Sequence, residues 1–464
     1  MKWNYFNFRQ FKDKILMTND LGKHIFVSLE DFRKIINKTI DLNSDIGKEL
    51  IQKQFIYEGT NLLFCNENYS SIRQIKSHLN IATSLHIFVV TTGCNTSCIY
   101  CQANKGNENT KLRVMDELMA EKAVDIALQS PNKYLSFEFQ GGEPLINFNV
   151  IKQIVLYAEQ HKGNHEIFYN VVTNLTLITD EILEFFKKYR FDISTSLDGP
   201  IYVHDFNRPY KSGKGTFEDV TQSINKIRNA GLRVGAIQTT TRHSLNYSKE
   251  IVNTYQELGF DSIFLRPLTP LGKANKSWNL IGYSAKEFLD FYRKALDELF
   301  TINSNGTYIK ENHAGILYSR IQGNAENYME LRSPCGASIG QIAYYSDGNI
   351  FTCDEGRMLY EMGYDTFKLG NVFENSYYDL INNGVSKTVC AASILETIPS
   401  CCDCVYQPYC GTCPVVTYSK NDDIIEKSPF GYKCTIYSGI MDILFEKILE
   451  NDKKILDILE MWSN

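Results

Sequence analysis

No stretch of the 464 residues approaches the 18 or more consecutive apolar residues of a membrane-spanning helix, so no membrane span is expected. The opening run "MKWNYFNFRQFKDK" lacks the apolar centre of a secretory signal, and a cytoplasmic location is expected. No long run of one charge sign occurs. The 48 basic and 54 acidic residues give a formal net charge of −6, which argues against nucleic acid as a partner. Neither an internal repeat nor a low-complexity tract is visible, which excludes solenoids and long disordered linkers. What remains is ordinary globular material, 43% hydrophobic and 22% charged, of a length that suggests about three domains.

Against these absences stand thirteen cysteines. A reducing compartment disfavours structural disulfides, and the count is odd. Cys94, Cys98 and Cys101 fall within eight residues of "TTGCNTSCIYCQA". Cys335 and Cys353 stand further on, Cys401, Cys402, Cys404, Cys410 and Cys413 crowd together, and Cys434 follows. Such spacing favours metal or clusters over disulfides. A trio is one ligand short of a tetrahedral zinc site or a cubane iron–sulfur cluster, which raises the question of what takes the fourth corner. Cys390 stands apart, and Cys65 reads as a packed core thiol.

The chain divides by pattern. Over residues 1–82, "YFNFRQFKDKILMTNDLGKHIFVS" reads as two extended runs around "NDLG". Ser28 then caps a helix, "SDIGKELIQKQFI" gives a second, and "FIYEGTNLLF" a further extended pair. This is a small strand-and-helix unit of winged-helix type. Over 83–300, six extended runs from "LHIFVVTT" to "SIFLRPLT" alternate with six helical patterns. That alternation implies an α/β fold with a parallel sheet and helices outside, its chemistry at the carboxyl ends of the strands. Residues 301–332 bridge to a region of short strands, turns and cysteines at 333–440, and 441–464 form one closing helix, "MDILFEKILENDKKILDILEMW".

The C-x3-C-x2-C loop, directly after the first strand, resembles the defining motif of the radical S-adenosylmethionine (SAM) enzymes. That resemblance implies a partial (β/α)6 TIM barrel. It also implies a [4Fe–4S] cluster held by Cys94, Cys98 and Cys101, with S-adenosylmethionine on the fourth iron. One electron then cleaves that molecule to a 5′-deoxyadenosyl radical, which takes a hydrogen atom from substrate. Tyr100 matches the aromatic position beside the adenine. "QGGEP" matches the stretch that holds the methionyl amino group, with Gly141, Gly142 and Glu143. Asn174 lies in a matching "TN" step, although Leu175 replaces the usual glycine. Ser196 and Asp198 of "SLDGP" correspond to positions near ribose and carboxylate, and Arg208 to a partner of the methionyl carboxylate.

The later cysteines resemble the SPASM extension of radical enzymes that modify peptides, which implies two auxiliary [4Fe–4S] clusters and three in all. By position, Cys401, Cys404, Cys410 and Cys434 belong to one, and Cys335, Cys353 and Cys413 to the other. Cys410 and Cys413 are separated by two residues where the family has three. The Cys335 group lacks an obvious fourth ligand; Cys390, Cys402 or a substrate thiolate are the alternatives. Asp354 in "TCDEG" matches the general base of related sulfatase maturases.

"FEFQGGEPLINF" and "TSLDGP" are similar to the His-Xaa-Ser system maturase group. The resemblance implies a precursor peptide whose leader adds a strand to the N-terminal unit, a low-potential flavodoxin- or ferredoxin-type electron donor, and an oxidative cross-link, a cysteine thioether first. Oxidation of Ser or Cys to formylglycine is the alternative activity, and a zinc-bound peptide-binding protein the alternative of another class.

Overall fold

The structure is a computed structural model that describes residues 2–103, 112–324, 328–426 and 431–463. At its N-terminus β1 (Lys2–Trp3) pairs with β5 (Ile56–Tyr57), and β2 (Phe6–Phe11), β3 (Lys14–Asn19) and β4 (His24–Val27) form an antiparallel sheet in that order. The extended material therefore splits into three strands rather than two runs, because Lys12 takes a positive φ and closes a hairpin between β2 and β3. Ser28 caps the helix Leu29–Ile36 by accepting from the Asp31 N–H, and the helix Asp45–Gln52 follows. The second extended run expected in "FIYEGTNLLF" is instead the helix Asn61–Glu67, capped by Thr60, which accepts from the Leu63 N–H. Cys65 lies on that helix and is exposed, not packed in a core.

One face of the small sheet packs Ile15, Met17, Ile25 and Val27 with Leu50 and Phe55. Its other face is also covered: Phe11 and Phe26 meet Phe445 at 6.4 and 6.1 Å between ring centres. Asn7 Nδ2 donates to the carbonyls of Cys402 and Cys404 at 3.2 and 3.1 Å, and Thr18 Oγ1 to that of Val405 at 2.8 Å.

All six barrel strands form where the pattern placed them: β6 (Leu85–Thr91), β7 (Tyr134–Gly141), β8 (Glu166–Val172), β9 (Asp192–Ser196), β10 (Val234–Thr239) and β11 (Ser262–Arg266). Each pairs in parallel with the next. Side chains alternate across the strand. In β7, Leu135, Phe137 and Phe139 are buried against the helices, while Ser136, Glu138 and Gln140 point to the inner face. Asp116, Thr179 and Ser284 cap the helices Glu117–Ala127, Asp180–Tyr189 and Ala285–Ser304.

Beyond β12 (Lys310–Glu311), the later region joins the same sheet. β13 (Gln341–Tyr344) lies parallel to β6, and β14 (Asn349–Phe351) and β15 (Lys368–Asn371) follow antiparallel. The resulting ten-stranded order is β12-β11-β10-β9-β8-β7-β6-β13-β14-β15, a mixed sheet open at both edges that carries the partial barrel within it. β6, which carries the first cysteine loop, sits between the barrel and the later strands. Helices also stand where only strands and turns were expected, among them Asp354–Met362, Gly384–Ala391 and Pro414–Asn421. The closing helix is two helices, Tyr432–Glu450 and Lys453–Ser463, broken where Asn451 turns left-handed. Among the described residues, no helix is long and apolar enough to cross a membrane.

Candidate active site

The first cysteine loop is held by backbone contacts at the strand ends. Gly142 N–H donates to Thr91 O at 2.8 Å and Glu143 N–H to Gly93 O at 2.7 Å. A Cβ on Gly142 would lie 2.3 Å from Gly93 O, so only glycine permits this approach. Within the loop, Thr96 Oγ1 is 3.2 Å from Cys94 Sγ and 3.7 Å from Cys98 Sγ. Asn174 Nδ2 faces Cys94 Sγ at 4.0 Å and donates to Asn95 Oδ1 at 2.9 Å. Burial first, then the neighbouring Cys98 and Cys94, pushes Cys101 up to about 12.

The other motif residues gather around this loop. Both Glu143 oxygens are engaged: Oε1 accepts from Thr173 Oγ1 at 2.6 Å and from Leu145 N–H at 3.1 Å, Oε2 from Asn174 N–H at 2.7 Å. This fully buried carboxylate ties two strand ends together. Tyr100, Asp198 and Arg208 likewise engage one another. The Tyr100 hydroxyl donates to Asp198 Oδ2 at 2.8 Å and accepts from Arg208 Nη1 at 2.7 Å, and all three are buried. Ser196 ends β9 half-buried on the inner face.

The later cysteines fall into two groups by mutual influence. Cys335, Cys353 and Cys413 come together from three separate segments; burial raises each, and Cys353 is further raised by Glu355, Cys413 and Cys335. In the other group burial pushes Cys434 up to about 12, with Cys410, Cys404 and Cys401 adding to it. Of the two spare thiols, Cys390 feels Cys335, whereas Cys402 neighbours Cys401. Among the described residues no three His, Cys, Asp or Glu side chains gather tightly enough for a single metal ion. Buried thiols that raise one another's pKa stay neutral alone and ionise around a cation. Their softness suits iron–sulfur clusters, so the donor sets fit that kind of group.

A partly open cavity of about 80 Å³ lies beside the end of the first cysteine loop and the Cys335 group. Its wall includes Gln102, next to Cys101, then the run from Arg266 to Pro270, and the thiol-bearing Cys335, Cys353 and Cys413. Arg266 is paired with Glu330, which also accepts from the Tyr437 hydroxyl at 2.7 Å. Asp354 does not line the cavity; it is bonded to Arg357 Nε at 2.7 Å. Two carboxylates do line it: Glu330, and Glu355, which is raised by burial and then by Asp354. The sequence shows two adjacent acids in "TCDEG". Which one faces the cavity follows from Cys353 being the N-cap of a helix, with Sγ accepting from Gly356 N–H at 3.4 Å. One step around that helix turns Glu355, not Asp354, inward.

The family model of the radical SAM superfamily matches residues 88–247. The chain is 32% identical over 243 residues to the protein MJ0907 of Methanocaldococcus jannaschii, covering 50% of this chain and 82% of that one. It is 24% identical over 377 residues to a cysteine-type anaerobic sulfatase-maturating enzyme of Clostridium perfringens, covering 79% and 97%. Among solved structures, Streptococcus suis SuiB bound to its precursor peptide SuiA superposes with a TM-score of 0.53 at 17% identity, over 93% of this chain and 98% of that one. With a loop of three cysteines at the end of the first barrel strand and these matches, the chain belongs to the radical SAM superfamily and is an enzyme that uses S-adenosylmethionine and a [4Fe–4S] cluster.

Proposed function

We propose that this enzyme is a peptide maturase that installs an oxidative cross-link, a cysteine thioether first, in a ribosomally made precursor. In this reading Cys94, Cys98 and Cys101 hold the catalytic cluster, and Tyr100, Gly141, Gly142, Asn174, Ser196, Asp198 and Arg208 shape the cofactor pocket. Glu143, which also keeps its strand ends in register, lies in the same pocket and faces the methionyl amino group. Cys335, Cys353 and Cys413 hold one auxiliary cluster, and Cys401, Cys404, Cys410 and Cys434 another. Once bound, the first cluster and S-adenosylmethionine supply a hydrogen-abstracting radical, with the reducing electron coming from a low-potential flavodoxin- or ferredoxin-type donor.

The observation that carries the reading is the cavity between Gln102 and the thiols of Cys335, Cys353 and Cys413. A peptide segment reaching into it would lie beside Gln102, next to Cys101, and beside the three thiols. Three thiols leave one corner of a cubane for a substrate thiolate. The cross-link removes two hydrogens from the peptide, one as an atom and one as a proton, and the remaining electron leaves through the auxiliary clusters. The antiparallel sheet β2-β3-β4 offers edges to which a leader peptide can add a strand, and SuiB, similar in fold along nearly the whole chain, was solved with a precursor peptide.

The second reading, oxidation of Ser or Cys to formylglycine, is favoured by the clostridial relative's activity and by Asp354 directly after Cys353. Mass spectrometry of a precursor peptide from a neighbouring reading frame separates the two. Loss of two hydrogens per cross-link with the cysteine thiol blocked to alkylation supports the first. An unchanged peptide, or a residue converted to an aldehyde, rejects it. The open corner is tested by Cys390→Ala, which keeps about twelve irons if Cys390 is not a ligand and loses about four if it is.

A further inference from the structure

Two buried guanidinium groups are tied to the first cysteine loop or to the strand end that supports it. Arg208, after β9, is bonded to Tyr100 within the loop itself. Arg357 comes from the helix Asp354–Met362, whose N-cap is Cys353 of the auxiliary trio. Its side chain is 3% exposed. Nε donates to Asp354 Oδ1 at 2.7 Å, and Nη2 donates to Gln140 Oε1 at 3.0 Å. Gln140 is fixed in turn, because its Nε2 donates to Glu138 Oε1 at 2.6 Å. Gln140 precedes Gly141, where a Cβ would lie 2.6 Å from Thr91 O at the root of the cysteine loop. The guanidinium is thus attached to the strand end that supports the loop.

The far end of the same helix makes a second contact. Met362 Sδ accepts from Gly272 N–H at 3.2 Å. The next residue, Lys273, donates its N–H to Cys101 O at 2.9 Å. A Cβ on Gly272 would lie 2.3 Å from Gln102 O, so this approach leaves no slack. The auxiliary helix is therefore held against the Cys101 end of the loop at two points.

We propose that Arg357 is a positioning residue through which the auxiliary helix sets the reduction potential of the cluster on Cys94, Cys98 and Cys101. A fixed positive charge in a poorly hydrated site stabilises the more negative oxidation state, so it makes the cluster easier to reduce. Asp354, its ion-pair partner, acts in the opposite sense. The inference rests on the radical cluster and is independent of the peptide chemistry proposed above.

The test is an EPR-monitored redox titration of the anaerobically reconstituted full-length protein, following the signal whose shape changes when S-adenosylmethionine is added. Arg357→Met moves that midpoint to more negative potential and Asp354→Asn to more positive. The double variant Arg357→Met/Asp354→Asn returns it toward the parent value, and Arg357→Lys holds it. An unchanged midpoint in Arg357→Met, or shifts of the same sign in the two single variants, overturns the proposal. If Arg357→Met loses the signal altogether, Asp354→Asn decides: a positive shift supports the proposal and no shift overturns it.

Discussion

The two cysteine trios are built in opposite ways. Cys94, Cys98 and Cys101 come from eight residues of one loop, and two strand ends hold that loop by backbone hydrogen bonds. Cys335, Cys353 and Cys413 come from a turn before β13, the N-cap of a helix and the residue before another helix. The first trio needs the loop after β6 and the barrel backbone that holds it, at Glu143, Asn207, Pro209 and Lys273. The second exists only when the later strands have joined the barrel sheet and Pro414–Asn421 has packed back on Asp354–Met362. A site made by one loop tolerates damage elsewhere, whereas a site made by three segments inherits the stability of all of them.

The sharpest way to break this comparison is to remove one thiol from each trio. Replacing Cys101 by alanine should lower S-adenosylmethionine cleavage at least about 1,000-fold, because the loop offers no other thiol for that corner. Deoxyadenosine release under dithionite measures it. Replacing Cys413 should leave that cleavage within about threefold of the parent, remove about four irons and abolish peptide product. Equal losses of cleavage in both variants would erase the distinction.

A smaller effect is expected from the N-terminal sheet, which braces the remaining cysteine group. In Asn7→Leu the carbonyls of Cys402 and Cys404 lose their donor, at a cost of about 1–3 kcal/mol. A lower urea midpoint with faster iron loss, and unchanged S-adenosylmethionine cleavage, is the expected result.

An effect confined to part of the pH range belongs to the barrel itself. Burial raises the carboxyl of Glu311 from 4.5 to about 7, although Tyr292 and the N–H groups of Ala314 and Leu265 bond to it. Its folded-state pKa is raised, so the unfolded chain gives up the proton first as pH rises. Stability should therefore fall between pH 4.5 and about 7, by up to roughly 3 kcal/mol. Glu311→Gln should flatten that slope in urea midpoints taken across the range.

How much of this was legible in the sequence follows the same division. The six barrel strands and the first trio were readable because periodicity and spacing are local. The three-stranded N-terminal sheet was not, because a hairpin closed by Lys12 carries neither glycine nor asparagine to mark it. The exposed position of Cys65 and the helix Asn61–Glu67 were missed because "NLLF" suits a strand as well as a helix turn. Near the site, motif spacing brought Tyr100, Asp198, Arg208 and Glu143 to the loop. It carried no information on their bonding to one another or to the strand ends, which depends on chains crossing from different strands. Asp354 and Glu355 are adjacent in sequence, and only the start of the helix decides which of them meets the cavity.

The most direct test of the division between the two trios is EPR of the dithionite-reduced protein before and after S-adenosylmethionine is added. The account predicts that one signal responds, that it persists in Cys413→Ala, and that it vanishes in Cys101→Ala. A responsive signal that survives the loss of Cys101, or disappears with Cys413, would contradict it.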